Sequence, residues 1–259
     1  MKVKIRAARV FRLLFVIMLI LLVANCIVVW LRISTGDDSH SYIKLFDFNQ
    51  ESNVPTFFSS VLLFLASLLL FYIGLVHQSQ ECRLTRYWQG LAAGFLYMAI
   101  DESAQIHEVV NGLIQMKFKL TGFFHYGWVI PFGIIALVVG IIYLLKFMPF
   151  LPERIRKLFW ISGSIYVLGA IGFEMLGGKL DESGGSEILY AVLYTFEESF
   201  EMLGVGLFIY AILVYVEEEL RVTIKTKKKF ATEMVFLQKK GNEFCEQNQT
   251  KNQPEKELV

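Results

Sequence analysis

Cysteine and proline are scarce in this chain, and the motifs of common enzyme classes are missing. Its 259 residues include three cysteines and five prolines, and no two cysteines stand in CxxC spacing. A disulfide framework or a thiolate metal site is therefore not expected. No GxSxG, HExxH, P-loop or GxGxxG pattern occurs either. The sequence thus points to no serine hydrolase, zinc protease, nucleotide or dinucleotide site.

A strong charge of either sign is also absent. Lysine and arginine number 25 and the acids number 24, which leaves a formal net charge of +1. Because no global field would attract a polyanion, we predict no nucleic-acid partner.

Long apolar runs are what the chain has in excess. Hydrophobic residues make up 55% of it, and the mean hydropathy is +0.50. A bilayer core of about 30 Å needs about 20 apolar residues per helix. Six segments reach that length: residues 13–31, 56–76, 87–107, 128–147, 158–177 and 188–215. We predict an all-α polytopic membrane protein with about six transmembrane helices and membrane lipids as its surroundings. The sequence does not decide the oligomeric state, and a homo-oligomer is one of the possible states.

The distribution of basic residues predicts the orientation. Eleven lysines and arginines lie in the N-terminal stretch and in the second and fourth loops, whereas the odd-numbered loops hold five. The positive side of a membrane protein faces the cytoplasm, so both termini are predicted to be cytoplasmic. The apolar core after "MKVKIRAARVFR" is 19 residues long and ends in the bulky "IVVWL", which favours an uncleaved first helix over a signal peptide.

Three regions follow from this topology. Residues 1–12 form a basic cytoplasmic N-terminus, and residues 13–215 form the six-helix transmembrane domain. Residues 216–259 form a charged, partly disordered cytoplasmic tail, whose first part is predicted to continue the sixth helix. The lysines at 227–229 could contact anionic headgroups or simply be solvated.

Carboxylates occur inside three of the predicted spans. At about 1.5 Å per residue, Asp101 lies about 9 Å below the outer face of a 30 Å core, and Glu174 lies about 6 Å below it. Glu197 and Glu198 lie about 14–15 Å deep, and Glu201 about 20 Å deep. Three helices therefore carry acids at similar depths, in the outer half of the membrane.

The free energy of insertion argues that these acids face the protein interior. Each charge near a helix centre costs about 2.5–3.5 kcal/mol, so Glu197, Glu198 and Glu201 together cost about 8–10 kcal/mol. A helix with this cost is expected to turn its carboxylates toward other helices, where they share protons, pair or bind a cation. At 100° per residue the three acids fall within a 100° arc that also contains Tyr190 and Tyr194.

The stretch "AIDESAQIHE" supplies the second part of the predicted site. Asp101, Gln105 and Glu108 lie on one face of a continuous helix, with Glu102 at its edge. His107 points about 100° away from Glu108, so it joins the site only if the helix ends or kinks there. A wetter membrane interface is the alternative for this stretch.

A divalent metal is one candidate ligand, with His107, Glu108 and His125 as metal-ligand candidates. Carboxylate and imidazole suit protons, Mg, Mn, Zn or Fe without choosing among them. The Glu-x-x-His pair of di-iron bundles is absent, because Glu102 and His107 are five residues apart. An aromatic-belt position beside Tyr126 and Trp128 is the alternative for His125.

Two stretches resemble a group of uncharacterised bacterial multi-pass inner-membrane proteins. One is the loop "LFDFNQESNVPTFFSS", of the form LFDxxxExNxPTxFSS, and the other is the DExxxxHE motif of "DESAQIHE". The resemblance implies a bacterial inner (cytoplasmic) membrane location and implies no activity. Pro55 suits the first turn of the helix after the loop. Asp47 and Glu51 of this loop either line the mouth of the acidic site or are solvated.

Three hypotheses of function remain. The first is a cation- or proton-binding site, used in coupled transport or in cation binding itself, formed by Asp101, Glu102, Glu108, Glu174, Glu197, Glu198 and Glu201. In that site His107 and His125 lie at the rim. The second is a metal-dependent intramembrane enzyme that acts on a lipid-linked or envelope substrate. The third is a membrane assembly subunit with no chemistry of its own.

Overall fold

The chain folds as a bundle of helices. The computed structural model describes residues 2–3, 6–36, 41–78, 83–220 and 224–225. Its α-helices are α1 (Ala7–Thr35), α2 (Ser41–Phe46), α3 (Val54–Gln78), α4 (Thr85–Ala104), α5 (Ile106–Phe118), α6 (Val129–Lys146), α7 (Glu153–Val167), α8 (Glu174–Glu182) and α9 (Glu187–Tyr215). Short 3₁₀ turns span Gly122–Phe124 and Met148–Phe150, and π-helical turns span Leu168–Phe173 and Val216–Leu220. Two short strands, β1 (Lys2–Val3) and β2 (Ile224–Lys225), pair antiparallel.

Five helical stretches in the described part of the chain are long and apolar enough to cross a membrane. They are Ala7–Thr35, Val54–Gln78, Val129–Phe150, Glu153–Glu182 and Glu187–Leu220. The predicted third span, α4, is not among them although it is 20 residues long. Polar residues such as Gln89, Asp101 and Glu102 lower its hydropathy. The structure thus describes a membrane-embedded helical protein with five apolar spans.

The predicted span boundaries differ from the helix ends at several places. α1 begins at Ala7, within the stretch assigned to the basic N-terminus. Beyond α9 the π turn carries the helical path to Leu220. The lysines at 227–229 and the predicted disordered part of the tail lie outside the described residues.

Helix α9 occupies the centre of the bundle. α1, α3 and α7 all pack against it, and 61% of its most apolar window is buried, compared with 6% for the span that contains α6. Its buried residues include Ile209, Ala211 and Ile212, which expose no surface. The side chains of α9 are therefore presented to several neighbouring helices at once, whereas α6 stands at the periphery.

Two glycines let α9 approach the helix formed by α7 and the π turn. A Cβ on Gly169 would lie 2.9 Å from the carbonyl oxygen of Glu197. A Cβ on Gly204 would lie 2.7 Å from the Cβ and 2.8 Å from the backbone nitrogen of Tyr166. Only glycine tolerates such backbone contact. This approach brings the acidic stripe of α9 beside the acid of the neighbouring helix, Glu174.

Substituting Gly204 with alanine is expected to destabilise the bundle. The new methyl group would overlap backbone atoms of Tyr166, and overpacking of this kind costs about 1–3 kcal/mol. We expect the free energy of unfolding in detergent to fall by about 2 kcal/mol. Gly163→Ala on α7 is the matched control, because nothing lies within 4 Å of its Cβ position. Equal effects of the two substitutions would contradict the close approach at Gly204.

The loop before α3 is fixed by buried polar contacts. Asn25 of α1 is fully buried, where its Oδ1 accepts the Phe48 N–H at 2.8 Å and its Nδ2 donates to Thr195 Oγ1 at 2.9 Å. Asn53 Nδ2 donates to the Asp47 carbonyl at 2.8 Å. Its Oδ1 accepts the N–H of Thr56 at 3.0 Å, as the cap residue of a helix does. These contacts tie the loop that carries Glu51 to α1, α3 and α9.

Candidate functional site

A break at Gln105 shapes the α4 end of the site. Gln105 has φ 56° and ψ 41°, the left-handed conformation that ends a helix, and its N–H donates to the Asp101 carbonyl at 2.7 Å. The chain therefore turns, and α5 begins at Ile106. The predicted continuous helical face of Asp101, Gln105 and Glu108 is wrong for this reason.

The break brings His107 onto Asp101. The His107 backbone N–H donates to Asp101 Oδ1 at 2.8 Å, and its Nδ1 donates to Oδ2 at 3.0 Å. The imidazole also packs against the Trp128 ring, with 5.2 Å between centroids. Asp101 thus binds the first turn of α5 through both carboxylate oxygens, and the condition under which His107 joins the site is met.

His107 lies beyond the end of α4, and its charge is stabilised there. Burial alone would lower its pKa, but the hydrogen bond to Asp101 and the charges of Asp101, Glu108 and Glu51 outweigh burial and raise the pKa to about 9. The imidazole is therefore protonated at neutral pH. It is a fixed positive charge at one end of a carboxylate-rich region.

The stabilising effect of His107 should depend on pH in a defined direction. Its folded-state pKa lies above the ordinary value of 6.5, so its contribution is complete below about pH 6.5 and is lost as pH rises through about 9. We expect the difference in free energy of unfolding between wild type and His107→Gln to shrink between pH 7 and 10. Unfolding in detergent at pH 6, 8 and 10 measures it. When Asp101→Asn is already present, adding His107→Gln should change the free energy of unfolding only slightly at every pH. A change as large and as pH-dependent as in the wild-type background would contradict the pairing of His107 with Asp101.

Glu174 begins α8, directly after the π turn. Trp128 Nε1 of the segment before α6 donates to Glu174 Oε1 at 2.8 Å. Helix α8 also packs against α9, which carries Glu197. Glu174 and Glu197 border the same cavity, so acids from α8 and α9 line one space.

Glu198 and Glu201 have a different environment. Within the described part of the chain neither side chain has a hydrogen bond or an ion pair, and both side chains are half-buried. The charged groups acting on them are other carboxylates, among them Glu102 and Glu51. Both border a cavity that the bundle only partly encloses. Two acids from mid-helix thus line open space, and no lysine or arginine of the described residues borders it.

That cavity has a volume of about 640 Å³. Eight carboxylates of the described residues line it: Glu51, Asp101, Glu102, Glu108, Glu174, Glu197, Glu198 and Glu201. Among these described residues His107 is the one basic side chain in the lining, and no lysine or arginine borders the cavity. All seven acids of the predicted site, together with His107, border this single space.

A comparison with protein families places the chain in a known group. A family model described as "Domain of unknown function (DUF8692)" matches residues 13–216. The chain belongs to this family. The matched region contains every residue that lines the cavity. No curated protein and no solved structure matches the chain.

His125 does not border the cavity. It follows the 3₁₀ turn Gly122–Phe124, and its Nε2 lies 3.8 Å from Asp181 Oδ2, at the end of α8. His107 Nε2 and Glu108 Oε1 are 3.9 Å apart. The candidate ligands His107, Glu108 and His125 are thus not assembled, because the turn directs His125 toward α8. Among the described residues, no three histidines, cysteines or acids are grouped so that they could hold a metal ion.

The loop acids separate into two roles. Asp47 is 1% exposed and binds Arg32 Nη1 at 2.6 Å, so it is neither solvated nor part of the cavity lining. Glu51 does line the cavity. Burial and the nearby Glu108 raise its pKa, against the opposing charge of His107. Glu51 is therefore an eighth member of the acidic lining.

Sequence reasoning missed Tyr166 as a lining residue. Tyr166, Ala170 and Glu174 follow one another at intervals of four, and all three border the cavity. That spacing was the available signal, because residues four apart share a helix face. Tyr190 and Tyr194, which share the acidic stripe of α9, also line the cavity, where they stack edge to face with 5.5 Å between centroids.

Proposed function

We propose that this integral membrane protein binds protons or cations at the acidic cavity, in the outer half of the bilayer, and uses them in coupled transport. The observation that supports the proposal most directly is the cavity lining, to which the described part of the chain contributes eight acids and no lysine or arginine. Charged side chains within a membrane face a protein interior or a water-filled cavity and commonly mark ion or proton pathways.

The electrostatics of the lining require a counter-charge. His107 offers one positive charge at the α5 end, and Asp101 already binds it. Several carboxylates around one cavity cannot all ionise in a medium of low dielectric constant, because their negative charges repel one another. Glu198 and Glu201, which have no described partner, therefore hold protons or a bound cation. Exchange between the two states is the elementary step of proton-coupled transport.

The proposed topology has six spans, with α4 as the third. Ser67 Oγ of α3 donates to the Ala92 carbonyl at 2.7 Å, and Ser60 Oγ donates to the Ala99 carbonyl at 2.9 Å. α4 thus runs beside an apolar span over several turns, which supports a transmembrane position despite its polar end. From the basic residues of the even-numbered loops we infer cytoplasmic termini and a bacterial inner-membrane location.

The assay for this function uses the full chain in proteoliposomes that contain a pH-sensitive dye. An imposed gradient of protons, Na⁺, K⁺ or Mg²⁺ should change the internal pH faster than in protein-free liposomes. Rates equal to those of protein-free liposomes under every gradient would contradict coupled transport.

A further inference from the structure

The cavity has two chemically different walls. α9 and the end of α4 supply acids, whereas α6 supplies Phe132, Ile135, Ala136 and Val139. Val167, Ala170 and Ile171, from the end of α7 and the π turn, extend the second wall. A site for protons or bare metal ions alone has no use for so large an apolar surface. The lining is instead that of a pocket for an amphipathic molecule.

The volume of the cavity supports the same interpretation. About 640 Å³ lies within the range of roughly 300–1,000 Å³ typical of organic-ligand pockets. A bare cation with its ligands needs far less space. The cavity therefore has room for an organic group as well as for the charge that the carboxylates attract.

Aromatic rings also line the cavity. Tyr97 stacks on Phe132 with 6.3 Å between centroids, and Phe132 meets Trp128 edge to face at 5.7 Å. Aromatic faces attract organic ammonium groups through cation–π interactions, and they bind quaternary ammonium ions well. The same lining includes Glu198 and Glu201, the half-buried carboxylates that have no partner among the described residues.

We propose that the cavity binds a hydrophobic organic ammonium ion, with its charged nitrogen near Glu198 and Glu201 and its apolar chain along α6. The inference rests on the proposed cation site and names the class of cation. No lysine or arginine within the described ranges lines the cavity, which disfavours phosphate and carboxylate headgroups. α6 lies at the periphery, since only 6% of the most apolar stretch of its span is buried. The apolar wall is therefore next to the lipid phase in which such a molecule dissolves.

Equilibrium dialysis of radiolabelled octyltrimethylammonium against the full chain in nanodiscs tests this proposal. Empty nanodiscs give the background from partitioning into lipid. We expect saturable binding that is at least tenfold tighter than that of tetramethylammonium, because only the longer ion reaches the apolar wall. Octyl sulfate should show no saturable binding.

Two substitutions on α6 distinguish the face that lines the cavity from the face outside the lining. Ala136→Trp fills the apolar side of the cavity and should weaken octyltrimethylammonium binding at least tenfold, whereas Leu137→Trp, on a residue 63% exposed and outside the lining, should leave it unchanged. Equal affinity for the two ammonium ions, or equal effects of the two substitutions, would overturn the inference. If proteoliposomes show the transport signal but nanodiscs show no octyltrimethylammonium binding, only this inference is overturned. If neither the transport signal nor the binding is observed, the proposed function is overturned as well.

Discussion

Replacing Glu198 and Glu201 together with glutamine is expected to abolish the pH- or cation-dependent signal in proteoliposomes. Glutamine has nearly the same shape as glutamate but cannot release a proton or neutralise a cation. Both carboxylates border the cavity and have no partner among the described residues. The expected rate under a proton or cation gradient is therefore that of protein-free liposomes.

The folded structure should survive this double substitution. Neither carboxylate holds a hydrogen bond or an ion pair in the described structure, and removal of buried charge lowers the cost of placing α9 in a bilayer. We expect the unfolding temperature in detergent to stay equal or to rise. A lost signal with an unchanged unfolding temperature identifies a functional role.

Glu153→Gln is the matched control. This acid is exposed and pairs with Lys157 one turn further along α7, at 2.6 Å, far from the cavity lining. Exposed pairs of this kind contribute little to stability, because water screens the two charges. The control should retain the full signal. A wild-type signal in the Glu198→Gln, Glu201→Gln double variant would rule out these acids as the coupling groups.

Helical periodicity carried most of the sequence-based prediction. Glu197, Glu198 and Glu201 lie on one stripe of α9 because residues three and four apart share a helix face. The estimate of depth from helical rise then grouped that stripe with Asp101 and Glu174, and all five acids border one cavity. These are local properties of single helices, so a sequence without an alignment is enough to predict them.

Helical periodicity does not predict contacts between segments that are distant in the sequence. The left-handed conformation of Gln105, which moves His107 onto Asp101, is rare for a residue other than glycine or asparagine, and nothing in the local pattern predicts it. Asp47 stands in a loop of the sequence, where an acid is commonly solvated, yet its side chain pairs with Arg32 at the end of α1. Pairing across a loop depends on packing that no periodicity encodes.

Asp47→Ala is expected to be the most destabilising single substitution proposed for this fold. Asp47 Oδ2 accepts from Arg32 Nη1 at 2.6 Å, and the exposed fractions of the two side chains are 1% and 11%. Removing one partner of a buried ion pair costs about 3–5 kcal/mol, because the remaining charge keeps its cost of desolvation and loses part of the attraction that offsets it. Arg32 Nη2 keeps its hydrogen bond to Tyr194 at 3.1 Å. We therefore expect the free energy of unfolding in detergent to fall by about 3 kcal/mol, the lower end of that range.

Arg32 offers its own internal control, because a second carboxylate approaches the same guanidinium. Glu187 Oε1 lies 3.6 Å from Arg32 Nε, but the Glu187 side chain is 66% exposed. Water screens such a pair, so Glu187→Gln should cost less than about 1 kcal/mol. Similar losses for the two substitutions would show that burial of Asp47 is not what makes its pair strong. A large loss for Asp47→Ala alone would establish Arg32 and Asp47 as the link that holds the loop bearing Glu51 against α1, at the border of the acidic cavity.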